Sequence, residues 1–546
     1  MQQKQESQAE SGAQQKQKTP MTLSKAFGQI GLLTAISRVF GFVRDLVFAH
    51  ILGAGPATDA FLIAFKLPNL FRRLTADGAM TNAFLPAFSH LRKQAGRSAA
   101  LMFAAEIQII LLLVLSVIVI LAEIFMPFVI GFLAPGFIDT PDRFEAAVAL
   151  ARISIPYLPM ISLVALWAAI TNAHDRFFGG AASPIILNLG LIGGALCVPL
   201  FASTNAKLLA ENPLMLSLPI GVAILLAGVA QMLFLQAAMG RISARPRLIR
   251  PTVSPQGKKM WSAFLPAALG AGGLQLNLLV DTILASLLAA GSVSWLYYGD
   301  RVAQLPLGII GIALGTALLP RLSQLEADGR QVDIPAEISK AAKLAAFFSL
   351  PCAVASVMMA EPIIAGLFGG GAFSNADILA AAGALAAYGI GIPAFVFAKI
   401  FQPAFFAAGQ AKLMLRISLS AVVINIAASL YLMQIFAHIG LALATSLAAY
   451  TVLGIQAFLL ARANKLDSAS FTALIRPAIA SLIMGAVIAI ILTVDFVPQD
   501  WPASDVITMG LLIGTGGGSY LIACWLFGCL PVEILGGRKA AGAKNT

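Results

Sequence analysis

Charge is what this chain has least of. Only 11% of its 546 residues are Asp, Glu, Lys or Arg, against about 25% in soluble globular domains. A water-facing surface for a chain of this size cannot be built from so few. Cysteine is nearly as sparse. Cys197, Cys352, Cys524 and Cys529 all fall in apolar segments, which excludes a disulfide framework or a thiolate metal cluster and leaves small buried hydrophobes. The four histidines are scattered without ligand spacing. No G-x-x-x-x-G-K-[ST] run occurs; the glycine-rich stretch from Gly514 to Ser519 has no lysine and reads as close helix packing, not as a phosphate cradle. With no nucleotide loop, nucleophile–base pair or metal cluster, the chain is expected to be no enzyme and to carry no cofactor beyond a coupling ion.

What is abundant is apolar length. Hydrophobic residues make up 59% of the chain and mean hydropathy is +0.87. Runs such as Ile109–Ile120 with its flanks, and Leu441–Leu460, reach the roughly 20 residues that cross a bilayer as a helix. The fold class expected is an all-α integral membrane protein with about fourteen transmembrane helices. The spans are placed at 27–50, 58–91, 102–133, 146–172, 179–203, 214–238, 260–289, 293–325, 339–368, 378–407, 412–434, 438–462, 471–493 and 505–530. The net charge of +11 is topogenic in this setting and implies no nucleic-acid partner. Basic residues gather in alternate loops: Arg92, Lys93 and Arg97 after span 2; Arg241, Arg245, Arg247, Arg250, Lys258 and Lys259 after span 6; Arg538, Lys539 and Lys544 at the end. The loops after spans 1, 7, 9 and 13 have none. The positive-inside rule then puts both termini in the cytoplasm. Residues 1–26, rich in Gln, Lys and Ser, are expected to be a disordered cytoplasmic tail and not a signal peptide.

Spans 2 and 8 are too long for simple helices and contain Pro68 and Gly78, and Pro306, Gly308, Gly311 and Gly315. Breaks of this kind are tolerated in membranes where the freed backbone faces protein or a wet cavity. The chain also repeats itself. Ala83, Leu85, Pro86, Ser89 and Leu91 match Ala317, Leu319, Pro320, Ser323 and Leu325. Asp45, Ala49, Leu52, Ala54 and Gly55 match Asp281, Ala285, Leu288, Ala290 and Gly291, and Pro127, Gly131, Gly136 and Asp142 match Pro362, Gly366, Gly371 and Asp377. A shift of about six spans keeps orientation, so the repeats are parallel and related by an axis along the membrane normal. The expected organisation is an N-terminal lobe at 27–238, a basic cytoplasmic linker at 239–259, a C-terminal lobe at 260–462, two added helices within 471–530 and a cytoplasmic tail at 531–546.

The few charges are concentrated where they cost most. Spans 1 and 2 hold Arg38, Arg44, Asp45, Asp59, Lys66, Arg72, Arg73 and Asp77; span 8 holds Asp300 and Arg301, and span 10 Lys399. Ionisable groups at such depth face a cavity or a partner. One reading is a set of structural Arg–Asp pairs, with Asp45 and Asp59 as the acids. The other is a cationic cavity, because arginine's fork of donors binds phosphate oxygens in pairs and does not titrate away. Such a cavity suits a pyrophosphate or another polyanionic headgroup.

Three stretches, Ser37–Asp45, Ala57–Arg73 and Gly291–Arg301, resemble the MurJ/MviN family, the lipid II flippases of bacterial peptidoglycan synthesis. That resemblance implies two six-helix lobes of the MATE-like exporter kind. It also implies two further helices forming a groove for a lipid tail, and alternating access. Its headgroup-binding residues fall on Arg38, Arg44, Asp59, Arg72 and Arg301, and gating acids on Asp45 and Asp77, the latter an aspartate where the family has glutamate. A sodium site in some members corresponds to Asp281, Asn425 and Thr445, with Ser429 in place of a second acid. The implied partners are lipid II, bilayer lipids and the cell-wall synthesis machinery, and the implied location is the bacterial cytoplasmic (inner) membrane. A flippase for another lipid-linked oligosaccharide, or a non-transporting membrane scaffold, are the alternatives. Tags inserted at residue 254 and at the C-terminus should be shielded from outside reagents, and a tag at residue 500 exposed to them. External labelling at 254 overturns this topology.

Overall fold

The structure, a computed structural model, describes residues 23–75, 79–273, 276–494 and 503–531. These residues are almost wholly helical, with a single isolated bridge between Gly370 and Phe373. In a medium without water every backbone N–H and C=O must be answered within the segment, so helix is the form an apolar run takes. The helices of the first half are α1 (Leu23–Leu52), α2 (Pro56–Thr75), α3 (Ala79–Gln94), α4 (Gly96–Ile124), α5 (Met126–Leu133), α6 (Pro141–Ser154), α7 (Tyr157–Asn172), α8 (Phe178–Leu196), α9 (Val198–Thr204), α10 (Ala206–Glu211) and α11 (Leu218–Arg241). There follow α12 (Pro255–Gly273), α13 (Leu276–Ser286), α14 (Ser292–Pro306), α15 (Ile312–Ala327), α16 (Ile334–Met358), α17 (Ala360–Phe368), α18 (Asn375–Ala407) and α19 (Ala411–Arg462). The last two are α20 (Ser468–Leu492) and α21 (Ser504–Leu526).

Among the described residues, ten helices are long and apolar enough to cross a membrane. The count of fourteen is not reached on that measure. α1 and α2, which carry the intramembrane charges, fall outside the set, as do α12 and α13, which lie on either side of two residues outside the described set. α19 counts once although it holds two expected spans. Its 52 residues would reach about 78 Å as one rod, more than twice a hydrocarbon core. The chain instead turns back at Ala437, where φ is +48° and ψ −129°. Gly440 consequently lies against the Leu432 carbonyl, and Asn425 reaches Thr445 at 3.3 Å. The lipid-facing surface is frankly apolar: Leu113, Val114, Val117, Ile120, Leu121 and Ile124 on α4 are at least half exposed.

Of the breaks expected in span 2, Pro68 lies inside α2 without ending it, and Gly78 lies outside the described residues. In span 8, Pro306 closes α14 and the chain passes through a π-helical turn, Leu307–Gly311, before α15 resumes. Such a turn frees carbonyls from the helical ladder.

Buried side chains gather into several clusters. The largest runs from Phe48 to Phe264, a second from Leu318 to Leu460, and a third joins Ala49 and Ala54 to Tyr298, Ile364, Phe368 and Leu385. α20 and α21 dock on the second half through Ala480, Met484, Ile488, Leu512 and Tyr520 around Phe347; the Tyr520 hydroxyl donates to the Phe347 carbonyl at 2.6 Å. α12 leans the other way: Met260 and Phe264 belong to the first cluster, and Glu106 accepts from the Ser254 N–H at 2.8 Å.

The two halves meet at one end through backbone. A β-carbon at Gly136 would overlap the Ser286 carbonyl, and one at Gly371, where φ is +62°, would overlap the His50 carbonyl. The Ala372 N–H donates to that same His50 carbonyl at 2.8 Å. Gly136 matches Gly371 in the sequence repeat, and position 50 matches 286 in the shift that pairs Asp45 with Asp281. The two contacts are therefore the same contact made twice, as a twofold axis between parallel repeats requires. Gly136→Ala or Gly371→Ala should part this end. A cysteine probe placed by Ser292→Cys, at a residue now 1% exposed, should then react several-fold faster with an impermeant maleimide. Unchanged labelling in both would show that these contacts do not hold the end shut.

Candidate functional site

α14 starts after Gly291, whose φ is +96°, and its first N–H groups have no acceptor within the helix. Asp59, from the first turn of α2, supplies one across the interface. Its Oδ2 accepts from the Gly291 N–H at 2.7 Å, and its Oδ1 from the Ser294 N–H at 2.9 Å and the Ser294 hydroxyl at 2.5 Å. Arg143 completes the set, donating to Oδ2 at 2.9 Å while its guanidinium lies 4.0 Å over the Phe137 ring. A carboxylate at a helix N-terminus gains from both the free donors and the helix dipole. Asp59 was expected to meet a headgroup. The structure places it differently: the residue is 0% exposed and its oxygens are already taken by donors from both halves. Its place is a clasp beside the glycine contacts.

About two turns further along α14 lies a second shared carboxylate. Asp45, on α1, accepts from Arg44 Nε at 2.9 Å and Nη2 at 2.6 Å, and from the Tyr297 hydroxyl at 2.7 Å. Its other oxygen lies 2.9 Å from Arg301 Nε as an ion pair without an aligned hydrogen bond. The Tyr297 hydroxyl also accepts from Arg44 Nη2 at 3.2 Å and Arg301 Nη2 at 3.0 Å. Asn188 on α8 steadies the group from behind: its Oδ1 accepts from Arg44 Nη1 at 3.1 Å and its Nδ2 donates to the Ser37 carbonyl at 3.2 Å. Two guanidinium groups thus face one carboxylate, and the cluster keeps a net positive charge. The Arg301 side chain is 37% exposed, against 10% for Arg44, so Arg301 is the member that faces open space.

Arg38, six residues before Arg44, is exposed and donates to the Gly308 carbonyl at 3.3 Å, a carbonyl of the π-helical turn. Arg38, Arg44, Asp45 and Arg301 therefore line one interface between α1 and α14 with its continuation. Arg72 lies in the last turn of α2 and its side chain is outside the described set; Asp77 lies outside the described residues. Sequence reading passed over Arg143, Tyr297 and Asn188. Tyr297 stands four residues before Arg301, one helical turn on the same face, which is a signal that could have found it. Arg143 opens a helix after a loop and reads as surface charge.

The sodium candidates lie elsewhere, on α13 and α19. Ser429 donates to Asn425 Oδ1 at 3.1 Å, and Thr445 to the Leu441 carbonyl at 3.0 Å. Asp281 Oδ1 and Asn277 Oδ1, one turn apart on α13, are buried without a hydrogen-bond partner. α13 packs against α19, and unanswered buried oxygens on one helix with neutral oxygen groups on the other are the chemistry a hard cation accepts. No group of three or more His, Cys, Asp or Glu that could hold a metal occurs among the described residues.

The Asp59–Arg143 clasp can be weighed in detergent. Removing either partner alone strands a buried charge, which costs about 3–5 kcal/mol. Asp59→Ala and Arg143→Ala should each lower Tm sharply, and the double variant should lose less than the two losses combined. Strict additivity would mean that the pair is not coupled.

The geometry now has a family to stand in. The family model described as Lipid II flippase MurJ matches residues 48–511. The protein named "Probable lipid II flippase MurJ" in Rhizobium meliloti (strain 1021) is 37% identical over 431 residues, 79% of each chain. Among solved structures, a lipid II flippase MurJ in an inward closed conformation superposes with a TM-score of 0.74 at 24% identity, covering 93% of this chain and 99% of that one. An inward-facing multidrug resistance MATE family transporter gives 0.61 at 15% identity, covering 81% and 100%; these two likenesses speak for the fold alone. An all-helical, multi-pass membrane chain with a shared-carboxylate arginine cluster between its halves, matched by that family model over most of its length, belongs to the lipid II flippase MurJ family.

Proposed function

We propose that this protein moves lipid II from the cytoplasmic to the periplasmic leaflet by alternating access, in the bacterial cytoplasmic membrane with both termini inside. The observation that carries the reading is the pair Arg44 and Arg301, which come from opposite halves and share a single carboxylate at 2.6 Å and 2.9 Å. Two forks of donors answered by one acid are under-neutralised, and a pyrophosphate supplies the missing negative charge. With Arg38 beside them and Arg72 on the neighbouring helix, they form the headgroup site between an N-terminal lobe at 27–238 and a C-terminal lobe at 260–462.

The shape fits one step of such a cycle. The end bearing Asp59, Gly136, Gly291 and Gly371 is joined across the halves. At the end bearing the basic loops, Arg92 bonds to the Ala173 carbonyl, Arg97 to the Ile242 carbonyl and Lys465 to Glu326, each within its own half, while α12 leans from the second half onto the first. By the positive-inside rule that second end is cytoplasmic, so this conformation receives its substrate from the cytoplasm. A polyprenyl tail has no place among the arginines. Part of it fits instead an apolar groove of about 430 Å³ lined by Ala353, Val354, Val357 and Met358 of α16 and Leu482, Gly485 and Ala486 of α20. Asp281, Asn425 and Thr445 would hold a sodium ion, which would supply a gradient to bias the cycle. Cell-wall synthesis enzymes are the expected acceptors of the cargo.

The test is growth of cells depleted of their own lipid II flippase. The wild-type chain should restore it. Arg38→Ala, Arg44→Ala, Arg72→Ala and Arg301→Ala should not, because each lost charge-assisted bond costs roughly 1.5–3 kcal/mol, about a ten- to hundredfold loss of affinity. The Arg→Lys variants should rescue partly, keeping the charge but not the fork. If all four alanine variants reach normal membrane levels and support full growth, the arginines are structural and the headgroup binds elsewhere.

A further inference from the structure

Tyr297 is the neutral group that both arginines of the cluster share, and every hydrogen-bonding position of its hydroxyl is used. A phenol offers one proton and two lone pairs. The proton goes to Asp45 Oδ1 at 2.7 Å, and the lone pairs receive Arg44 Nη2 at 3.2 Å and Arg301 Nη2 at 3.0 Å. The Arg301 guanidinium also lies 4.8 Å from the centre of the Tyr297 ring. Two cations from opposite halves thus meet on one oxygen, which keeps their Nη2 atoms within about 6 Å of each other, the limit set by two hydrogen bonds to a single atom. Like charges at that separation repel unless something between them accepts from both. Asp45 cannot do this alone, because a second anion arriving at the cluster competes with it for the same forks. The phenol does not compete, since it carries no charge to be displaced.

We propose that Tyr297 is a positioning residue of the headgroup site: its hydroxyl holds Arg44 and Arg301 at the spacing of two linked phosphates, and its O–H turns from Asp45 to a phosphate oxygen when the headgroup arrives. The assignment rests on the reading of the arginine cluster as the headgroup site. It adds a consequence for specificity. A pyrophosphate gives each arginine a phosphate of its own, whereas a monophosphate satisfies only one. The preference for the linked pair therefore depends on the spacing, and the spacing depends on the phenol. Asn188 has no such role, because of the two arginines it bonds only Arg44, and its second bond is to the Ser37 carbonyl of Arg44's own helix.

The experiment compares transport, in proteoliposomes holding the full-length protein, of two polyprenyl-linked saccharides that differ only in a pyrophosphate or a monophosphate link. Wild type should favour the pyrophosphate. Tyr297→Phe keeps the ring under Arg301 and removes the hydroxyl. It should raise KM for the pyrophosphate-linked lipid about tenfold, leave Vmax within twofold and leave the monophosphate-linked lipid nearly unaffected, so that the preference collapses. Tyr297→Gln, which can donate and accept without a ring, should retain most of the preference. A purely structural tyrosine would slow both lipids alike. If Tyr297→Phe keeps the wild-type preference while Arg44→Ala and Arg301→Ala are inactive, the headgroup site stands and the role given to Tyr297 falls. If Arg44→Ala and Arg301→Ala transport both lipids as wild type does, the headgroup site itself falls and Tyr297 with it.

Discussion

A carboxylate cannot be left unanswered in a medium that solvates no charge, and the architecture of this protein follows from where it puts two of them. Asp59 is given four donors, and they come from both halves of the chain. Asp45 is given two arginines and a phenol, again from both halves. Each acid finds one arginine in its own half, Arg143 for Asp59 and Arg44 for Asp45, and completes its set of donors only when the other half is in place. Bringing the halves together therefore answers the remaining acceptors, which converts an electrostatic cost into a conformational preference. Hydrophobic contact could not do this between helices in lipid, because the tails outside are as apolar as the side chains inside.

The two acids have different fates because their surroundings differ in accessibility. Asp59 is sealed by the turn around Gly291, and a dissolved or lipid-linked anion has no way to reach Arg143 behind it. Asp45 shares its partners with Arg301, whose side chain is 37% exposed. An incoming anion can take over that arginine without unpicking the clasp. The distinction explains why a cluster that looks like a structural ion pair in this conformation can also be a binding site: Asp45 holds the forks in the arrangement that a more highly charged ligand then uses. A ligand shifts a two-state equilibrium only through a difference in its contacts with the two states, and a headgroup that displaces Asp45 supplies such a difference.

Much of this was legible beforehand, and the limits of legibility have physical causes. Membrane character followed from charge scarcity, and the parallel repeat from matches such as Gly136 with Gly371, which the twin backbone contacts explain. Arg38, Arg44 and Arg301 could be nominated because arginine at mid-depth always needs a reason. Asp59 could be nominated for the same cause but not placed: its partners, the Gly291 and Ser294 N–H groups, are backbone atoms 232 and 235 positions away, and nothing in residue identity announces a cap supplied by another helix. Arg143 was invisible because a loop-proximal arginine is normally solvated. The way the expected span 260–289 divides its packing was hidden as well: Met260 and Phe264 join the first half, Leu284 and Ala285 join Leu296, Ala384 and Leu441, and apolar residues do not reveal their neighbours.

The clasp and the arginine cluster are not independent, because they ride on the same two helices. α14 carries Ser294 at the clasp and Tyr297 and Arg301 at the cluster, a separation of seven residues or about 10 Å of rigid helix. α1 carries His50, whose carbonyl receives the Ala372 N–H, and Arg44 one and a half turns earlier. A helix transmits displacement because its hydrogen bonds are internal and its length is fixed. Any movement that opens the end around Gly291 must therefore carry Arg301 away from Arg44, and any ligand that draws the two arginines together opposes it. The break in the ladder comes only beyond the cluster, at the π-helical turn Leu307–Gly311, where Arg38 meets the Gly308 carbonyl. The rigid part of α14 thus spans the closed end and the cluster, and its compliant part begins where the cluster ends. That placement couples occupancy of the arginines to closure of the far end without any further relay between them.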